Sequence, residues 1–371
     1  MNRSSLNRWR LILIPFSWLY GLAVWIRNTM YDQGVIKSAE FSIPIISVGN
    51  ITVGGTGKTP HVEYLLDLLK EEFSTAALSR GYRRRTRDFR MAGPESTPDE
   101  IGDEPMQIKR KYPDVTVAVD RSRTHGVSEL MKLEPPLEVV VLDDAYQHRS
   151  IRPGFSILLI DYRRPPDRDL LLPAGTLREP AANRDRAHLI LVTRSPVELK
   201  PIEMREYVKN LGLQIGQHLY FTTVHYDTLV PVYANVPDRE ADWYRSRATS
   251  VLLVSGIADP HGMRQYAESI SPRVLEITFS DHHRYSAKDI ERIGSLFRKL
   301  KVEGGEVLVL TTEKDAVKLR EFTPGDELRN AMHAVRIRVH FLNNDKENFD
   351  KHIKSYVKSN KRSSILHKET Y

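Results

Sequence analysis

The stretch ISVGNITVGGTGKTPHVEYL, Ile46 to Leu65, has the residues to hold the phosphates of a nucleotide. Gly49 follows an apolar, β-rich run, and glycines recur at 54, 55 and 57. Lys58 and Thr59 then open a helical pattern, with Pro60 near its first turn, where a missing N–H costs little. Backbone N–H groups of such a loop, with the helix N-terminus behind them, form a nest for an anion. A lysine there reaches the β- and γ-phosphates, and a threonine hydroxyl ligates Mg²⁺. The P-loop spacing G-x-x-x-x-G-K-[ST] asks for glycine at 52, where the chain has Thr52, so the entrance must turn differently. The expected nucleotide-binding run is Thr52, Val53, Gly54, Gly55, Thr56, Gly57, Lys58 and Thr59, with Thr59 also a metal ligand.

A second segment, EVVVLDDAYQHR from Glu138 to Arg149, is a buried-type strand ending in two acids. In an open α/β sheet, ligands bind at the carboxyl ends of the strands. Asp143 or Asp144 would hold Mg²⁺ there directly or through water, and Gln147 and His148 follow on the same loop. Other segments are ambiguous when taken alone. Asp103 and Glu104, in IGDEPMQIKRK, start a helical pattern, where acids also favour the helix dipole. Asp281, His282 and His283, in FSDHHRY, could be metal ligands, or a base with its orienting partner. Arg178 and Glu179 lie in LLPAGTLREP, and an arginine near phosphate binds it bidentately. SRGYRRRTR gathers positive charge at 80–87, facing either a phosphate, an anionic surface or solvent.

The elements that must position these groups alternate. Apolar β-rich runs at 42–48, 115–119, 137–142, 155–160, 188–193, 250–256 and 305–311 have helical patterns between many of them, which implies an α/β fold with a parallel sheet and right-handed crossovers. The chain of 371 residues suggests two domains. The boundaries expected are an apolar N-terminal helix at 1–28, a nucleotide-binding core at 29–219, a linker ribbon at 220–245, a second α/β domain at 246–350 and a basic tail at 351–371. The tail reads as a solvated, fraying helix. With no cysteine, neither disulfides nor thiolate metal sites can carry the fold. A net charge of +7 favours anionic partners without choosing among phosphometabolites, anionic lipid and nucleic acid.

At the N-terminus, Arg3, Arg8 and Arg10 precede an uncharged run from Leu11 to Ile26, which Arg27 closes. Its 16 residues fall short of the ~20 that span a bilayer. Trp9, Trp18 and Trp25 lie here, and Ile14, Trp18, Leu22 and Trp25 share a helical stripe. Tryptophan and arginine together suit the membrane interface, and the alternative is a helix packed on the core.

Taken in order, SVGNITVGGTGKTP, SRGYRR, GDEP, LDDAYQHR, LPAGTLREP, DHHRY and LTTEKDAVKL resemble the tetraacyldisaccharide 4′-kinase family, the bacterial lipid A 4′-kinases, over about residues 10–345. Thr52 belongs to that pattern. Ala145 and Tyr146 depart from the family's Asp-Asp-Gly-Phe-Gln-His, which matters only if the glycine needs positive φ. The resemblance implies a P-loop NTPase-type sheet flanked by helices, a smaller second α/β domain and a membrane-associated N-terminal helix. It implies transfer of the γ-phosphoryl group of ATP, with Mg²⁺, to the 4′-hydroxyl of an acylated glucosamine disaccharide 1-phosphate. By resemblance Lys58 contacts phosphate, Thr59 binds metal, and Asp143 and Asp144 organise metal and attacking group. Asp103 is the base, supported by His282 or alternatively His283, across a cleft that closes. Glu104, His148, Arg178 and Glu179 lie near phosphates or metal. The implied location is the cytoplasmic face of the inner membrane. No nucleic acid is implied, and no protein partner is inferred. A guanine-specific switch protein would need N/T-K-x-D; in TTEKDAV, Lys314 and Asp315 are adjacent.

Overall fold

Runs of β-branched and aliphatic residues too apolar for an edge pair side by side in the interior, and here they build one twelve-stranded sheet, seen in a computed structural model that describes residues 8–237, 239–247 and 249–368, with side chains from 12 to 360. In chain order the strands are β1 (Ile45–Gly49), β2 (Thr75–Ser79), β3 (Arg90–Met91), β4 (Thr116–Val119), β5 (Val139–Asp143), β6 (Phe155–Asp161), β7 (Leu189–Thr193), β8 (His218–Pro231), β9 (Ser250–Ser255), β10 (Val274–Thr278), β11 (Val307–Thr312) and β12 (Met332–Phe341). Their spatial order is β10-β9-β11-β12-β8-β7-β6-β1-β5-β2-β4-β3. Two parallel sets result. The first runs from β7 to β4 and the second from β10 to β12, and β8 joins them, parallel to β7 and antiparallel to β12.

The register explains why two distant motifs meet. β1 lies between β5 and β6, and Val48 is opposite Asp143. The glycine loop after β1 and the acids after β5 therefore emerge at the same carboxyl edge. Helix Lys58–Lys70 packs its Val62, Leu65, Leu66 and Leu69 under the first set, in a core shared with Val117, Val141 and Ile157. A separate core, with Leu252, Val309, Ile293 and Phe297, supports the second set.

Three elements differ from the sequence expectation. β2 was not expected, because Thr75-Ala-Ala-Leu-Ser79 carries little apolar bulk; it is a strand because it is sandwiched between β4 and β5. The expected ribbon at 220–245 begins within β8, a 14-residue strand whose outer half pairs with β12. The C-terminal helix, Lys346–Lys368, is not simply solvated. Phe349, Ile353 and Val357, spaced by four, are fully buried, and the Tyr356 hydroxyl bonds Ile45 N and O at 3.1 Å each. Away from that stripe, Lys354 and Lys358 meet Glu72.

The helix after the glycine loop is tied to β8 by His61. Its Nδ1 is 2.7 Å from Gly57 O and its Nε2 2.9 Å from Thr222 Oγ1, so the neutral ring donates to the carbonyl and accepts from the hydroxyl. Burial pulls its pKa down to about 4, only partly opposed by the Gly57 hydrogen bond. A depressed folded-state pKa contributes stability above the unfolded value that is lost as pH falls through the window from 6.5 toward 4. The full linkage is at most about 3 kcal/mol. Denaturant unfolding at pH 7.5 and pH 5 should show a larger loss for the wild type than for His61→Gln; equal losses would place the acid sensitivity elsewhere.

Candidate active site

The glycine loop reaches its shape without glycine at 52. Thr52 pairs in antiparallel fashion with Leu177, Val53 N donates to Thr176 O at 2.8 Å, and Arg178 N donates to Ile51 O at 2.8 Å. Thr52 is buried, and left-handed backbone is confined to the later glycines, Gly54 at φ 94° and Gly57 at φ 81°. The loop entrance is thus a short strand pair with the 171–180 segment. Thr52 and Val53, expected to touch nucleotide, face this pair instead and do not line the cleft. Gly54 through Thr59 do line it. Asn50 Nδ2 to Thr56 Oγ1 (2.9 Å) and Thr193 Oγ1 to Thr56 O (2.9 Å) pin the loop's centre. Gly49 is needed for close approach, since a Cβ there would lie 2.7 Å from Tyr146 Cβ. Ala145 needs no glycine, because the left-handed residue of that turn is Asp144, at φ 48°.

The cleft, of 640 Å³, collects groups from both strand sets. From the first come the glycine loop, Asp103, Glu104, Asp143, Asp144, Gln147, His148 and Arg178; from the second come Asp281, His282 and Lys314. Four of the seven non-glycine residues with positive φ among those described, Arg83, Asp144, Arg194 and His282, line it. Left-handed backbone at side chains that could relax elsewhere concentrates where geometry is functional.

On the phosphate side, Lys58 Nζ is 3.7 Å from Asp144 Oδ1, and Arg178 Nη1 is 3.6 Å from Asp144 Oδ2 and 3.4 Å from Gln147 Oε1. Asp144 thus sits between two cations that a triphosphate would also attract. Asp143 is buried, and its Oδ1 has no hydrogen-bond partner. Burial, then Glu104 and Asp144, raise its pKa, while Lys58 and Arg123 oppose the shift. An orphaned carboxylate oxygen in a cleft also lined by Thr59, Glu104 and Asp144 suits a hard divalent cation. Among the described residues no three His, Asp or Glu side chains form a self-sufficient metal cage. Mg²⁺ at a nucleotide needs only one or two carboxylates plus phosphate and water, so Thr59, Asp143 and Glu104 fit.

Glu179 does not join them. It follows Arg178 but is fully buried, with Oε1 on Arg27 (2.6 Å) and Oε2 on Asn183 (2.9 Å) and Arg186. Both oxygens are engaged by guanidinium groups, so the expected metal role is replaced by anchorage of the N-terminal helix.

On the far side, Asp103 opens helix Asp103–Lys111 after Gly102, whose φ is 96°. His282 Nδ1 is 3.3 Å from Asp103 Oδ2. His283 points away: it stacks on Phe279 at 4.5 Å and lies 3.2 Å from Asp289. Of the two histidines only His282 therefore faces Asp103. Burial pushes the Asp103 carboxyl up, but the His282 hydrogen bond and the charges of Lys318 and Lys314 outweigh it, leaving the group below its usual value. Lys314 Nζ reaches His282 Nε2 (3.0 Å), Glu104 Oε1 (3.4 Å) and Asp281 Oδ1 (3.4 Å).

Two residues here were not singled out from the sequence. Lys314 sits in LTTEKDAVKL, a segment of the family resemblance to which no site role was given and which was also weighed as a guanine element. Arg123, in DRSRTH, has no motif; it is 1% exposed and donates to Asp120 O (2.8 Å) and Asp143 O (2.9 Å), fixing the acidic turn from behind. Asp315, the guanine-type acid, is fully buried and accepts from Gly256 N and Thr312 Oγ1 at 2.8 Å each. It holds the β9 and β11 loops together and cannot read a base.

The N-terminal helix, Arg8–Asp32, is attached beside this site. Its small and polar face is inward. Ser17 Oγ donates to Leu171 O (2.9 Å), Tyr20 OH donates to Arg178 O (2.8 Å), and Gly21 packs closely on Leu171, whose Cδ1 would lie 2.7 Å from a Cβ there. Its apolar face is outward: Phe16, Trp18, Leu19, Leu22 and Trp25 are each more than half exposed. Ile14, expected in that stripe, is half-buried. Arg3 lies outside the described residues, as do the side chains of Arg8, Trp9 and Arg10. Among the described residues no helix is long and apolar enough to cross a membrane.

The sequence model of the family described as tetraacyldisaccharide-1-P 4′-kinase matches residues 9–358. The tetraacyldisaccharide 4′-kinase of Phocaeicola vulgatus is 43% identical over 371 residues, covering 98% of each chain. That of Bacteroides fragilis strain ATCC 25285 is 44% identical over 370 residues, covering 98% of this chain and 97% of its own. The crystal structure of LpxK from Aquifex aeolicus in complex with ATP superposes with a TM-score of 0.73 at 30% identity, covering 94% of this chain and 99% of that one. The chain belongs to the tetraacyldisaccharide 4′-kinase family.

Proposed function

We propose that the cleft phosphorylates the 4′-hydroxyl of tetraacyldisaccharide 1-phosphate from ATP, with the phosphate groups on the Lys58 side and the acceptor hydroxyl on the Asp103 side. The observation that carries this division of labour is the Asp103–His282 pair, facing the glycine loop across one cleft. Lys58, Arg178 and the N–H groups of Gly54 to Thr59 bind and orient the triphosphate. Thr59, Asp143 and Glu104 would hold Mg²⁺, which when bound neutralises phosphate charge and draws it into line. Asp103 accepts the proton of the attacking hydroxyl. Its lowered pKa keeps it ionised at neutral pH, and His282 orients it through Nδ1. Asp144, set between Lys58 and Arg178, holds both cations in place before nucleotide arrives. Catalysis here is positioning and charge neutralisation.

Lys58 and Asp103 belong to residues 29–219 and His282 to residues 246–350, and the segment 220–245 connects the two units. With His282 already 3.3 Å from Asp103, closure of these units around substrate serves to hold that pair and to exclude water. ATP turnover measured with and without the disaccharide acceptor tests the activity. Turnover should require the acceptor and should not be supported equally by GTP. Acceptor-independent hydrolysis, or GTP as good a donor as ATP, would instead favour a nucleotide switch.

The outward apolar face of the N-terminal helix serves this substrate. Its acyl chains lie in a bilayer and its sugars at headgroup level, so a helix lying in the interface, with tryptophans exposed and Arg178 one hydrogen bond away, delivers the hydroxyl to the cleft. The location that follows is the cytoplasmic face of the inner membrane, where ATP is available. Trp18→Ser with Trp25→Ser removes two exposed rings without touching the core. Partitioning onto anionic vesicles should fall at least about tenfold, since each buried aromatic contributes about 1.5–3 kcal/mol. Unchanged partitioning would mean the face has another partner.

A further inference from the structure

A second cavity, of 240 Å³, lies behind the Asp103 helix, and its walls carry four cations: Arg110, Lys111, Arg320 and Arg336. Arg110 and Lys111 form the last turn of helix Asp103–Lys111. Arg320 follows helix Glu313–Leu319, and Arg336 is on β12, so the cavity straddles the two strand sets. The only acid in its walls is Glu313. Lys111 is already paired, with Glu63 at 2.7 Å and Glu313 at 2.9 Å, and Arg336 Nε lies 3.4 Å from the same Glu313.

Arg110 and Arg320 are different. Arg110 Nη1 donates to Val317 O at 3.0 Å, and Arg320 donates to Val232 O and to Pro231 O. Among the described residues neither lies within 4 Å of a carboxylate; carbonyl groups satisfy N–H donors but do not neutralise charge. Burial and then the neighbouring Arg320 hold the Arg110 pKa below its ordinary value, and the charge of Glu321 opposes them only in part. Two guanidiniums of like sign lining one open cavity, Arg110 half-buried and Arg320 exposed, are the complement of an anion with several acceptor oxygens.

We propose that this cavity binds a small soluble oxyanion of the phosphate class between Arg110 and Arg320. A lipid-borne phosphate is disfavoured by position, because neither the glycine loop nor the 171–180 segment that holds the N-terminal helix lines it. An anion here ties the helix that begins with Asp103 to the helix whose Lys318 lies 3.5 Å from Asp103 Oδ2, on the side away from the chemistry. The site thereby favours the arrangement in which the two strand sets meet around Asp103. It stands on its own geometry and does not depend on the kinase reading.

The test is titration of the full-length chain with inorganic phosphate, against chloride at matched ionic strength, followed by calorimetry and thermal shift. Phosphate at the glycine loop is removed by working in a Lys58→Ala background. That variant should still bind phosphate, and adding Arg110→Gln with Arg320→Gln should weaken the apparent affinity at least tenfold. Loss of all phosphate binding with Lys58→Ala alone, or affinity within twofold after the double substitution, overturns the proposal. If the double substitution disturbs the fold by circular dichroism, Arg320→Gln alone decides. A threefold or greater weakening supports the site, and no change rejects it. Anionic phosphatidylglycerol vesicles should not displace the phosphate; displacement would overturn the soluble ligand in favour of a lipid headgroup.

Discussion

Lys58→Ala is expected to lower phosphoryl transfer by at least about a thousandfold while leaving the protein folded. Removing one preorganised donor from the charge that develops in a transition state costs about 10²–10³ in rate, and a lysine on the transferred phosphate of a P-loop enzyme carries more than one such contact. The fold has little to lose. The one ion pair Lys58 makes is with Asp144 at 3.7 Å, and the Asp144 side chain is 40% exposed. A pair so placed is worth no more than about 1 kcal/mol. The rate of label transfer from ATP and the thermal unfolding midpoint, measured side by side, separate the two effects. Near-normal turnover would remove the phosphate assignment of the whole Gly54–Thr59 segment.

Asp103→Ala should be nearly as damaging to kcat but should spare nucleotide binding. Asp103 is on the opposite wall from Lys58, and its contacts are with His282, Lys318 and, through charge, Lys314. Loss of a positioned general base costs about 10²–10⁴ in rate, whereas the affinity for ATP depends on groups that Asp103 does not touch. Equal losses in kcat and ATP affinity would reassign Asp103 to the nucleotide or the metal. The histidine adds a sign that can be checked. Its hydrogen bond is the largest influence lowering the Asp103 pKa, with burial pushing the other way. His282→Ala should therefore raise that pKa, and the acid limb of the kcat/KM profile should move to higher pH. A purely structural histidine would lower activity without moving the limb. His283→Ala, whose ring stacks on Phe279, should leave the limb in place.

The residues assigned to phosphate and metal were legible because their spacing is local. Gly54 to Thr59 and the acids at 143 and 144 each sit in a short segment whose strand and turn signals can be read along the chain, and the α/β alternation follows from runs of four to seven apolar residues. Thr52 could be seen as irregular but not explained. Its compensation is a strand pair with Leu177, more than a hundred residues later, and long-range pairing leaves no local mark. Arg123 was invisible for the same reason, since its partners are two backbone carbonyls. Glu179 could not be told from Arg178 in the motif, because its partners Arg27 and Arg186 come from segments outside it. His282 and His283 could not be separated from sequence. The left-handed backbone at His282, φ 56°, is what turns one ring to Asp103 and the other to Asp289. β2 and the buried stripe of the C-terminal helix were missed where tertiary packing overrides weak local preference, through small residues in one and a basic composition in the other.

The most direct test of the account is transfer of label from γ-labelled ATP to the disaccharide 1-phosphate, comparing wild type with Asp103→Asn, a substitution that keeps shape and removes the base. The wild type should deliver label to the 4′-hydroxyl. The variant should bind ATP with unchanged affinity and transfer label at least a hundredfold more slowly, the lower end expected for loss of a positioned base. Transfer by the variant at a rate close to wild type, or label appearing only as inorganic phosphate in the wild type, would contradict the assignment of Asp103 and the acceptor side of the cleft.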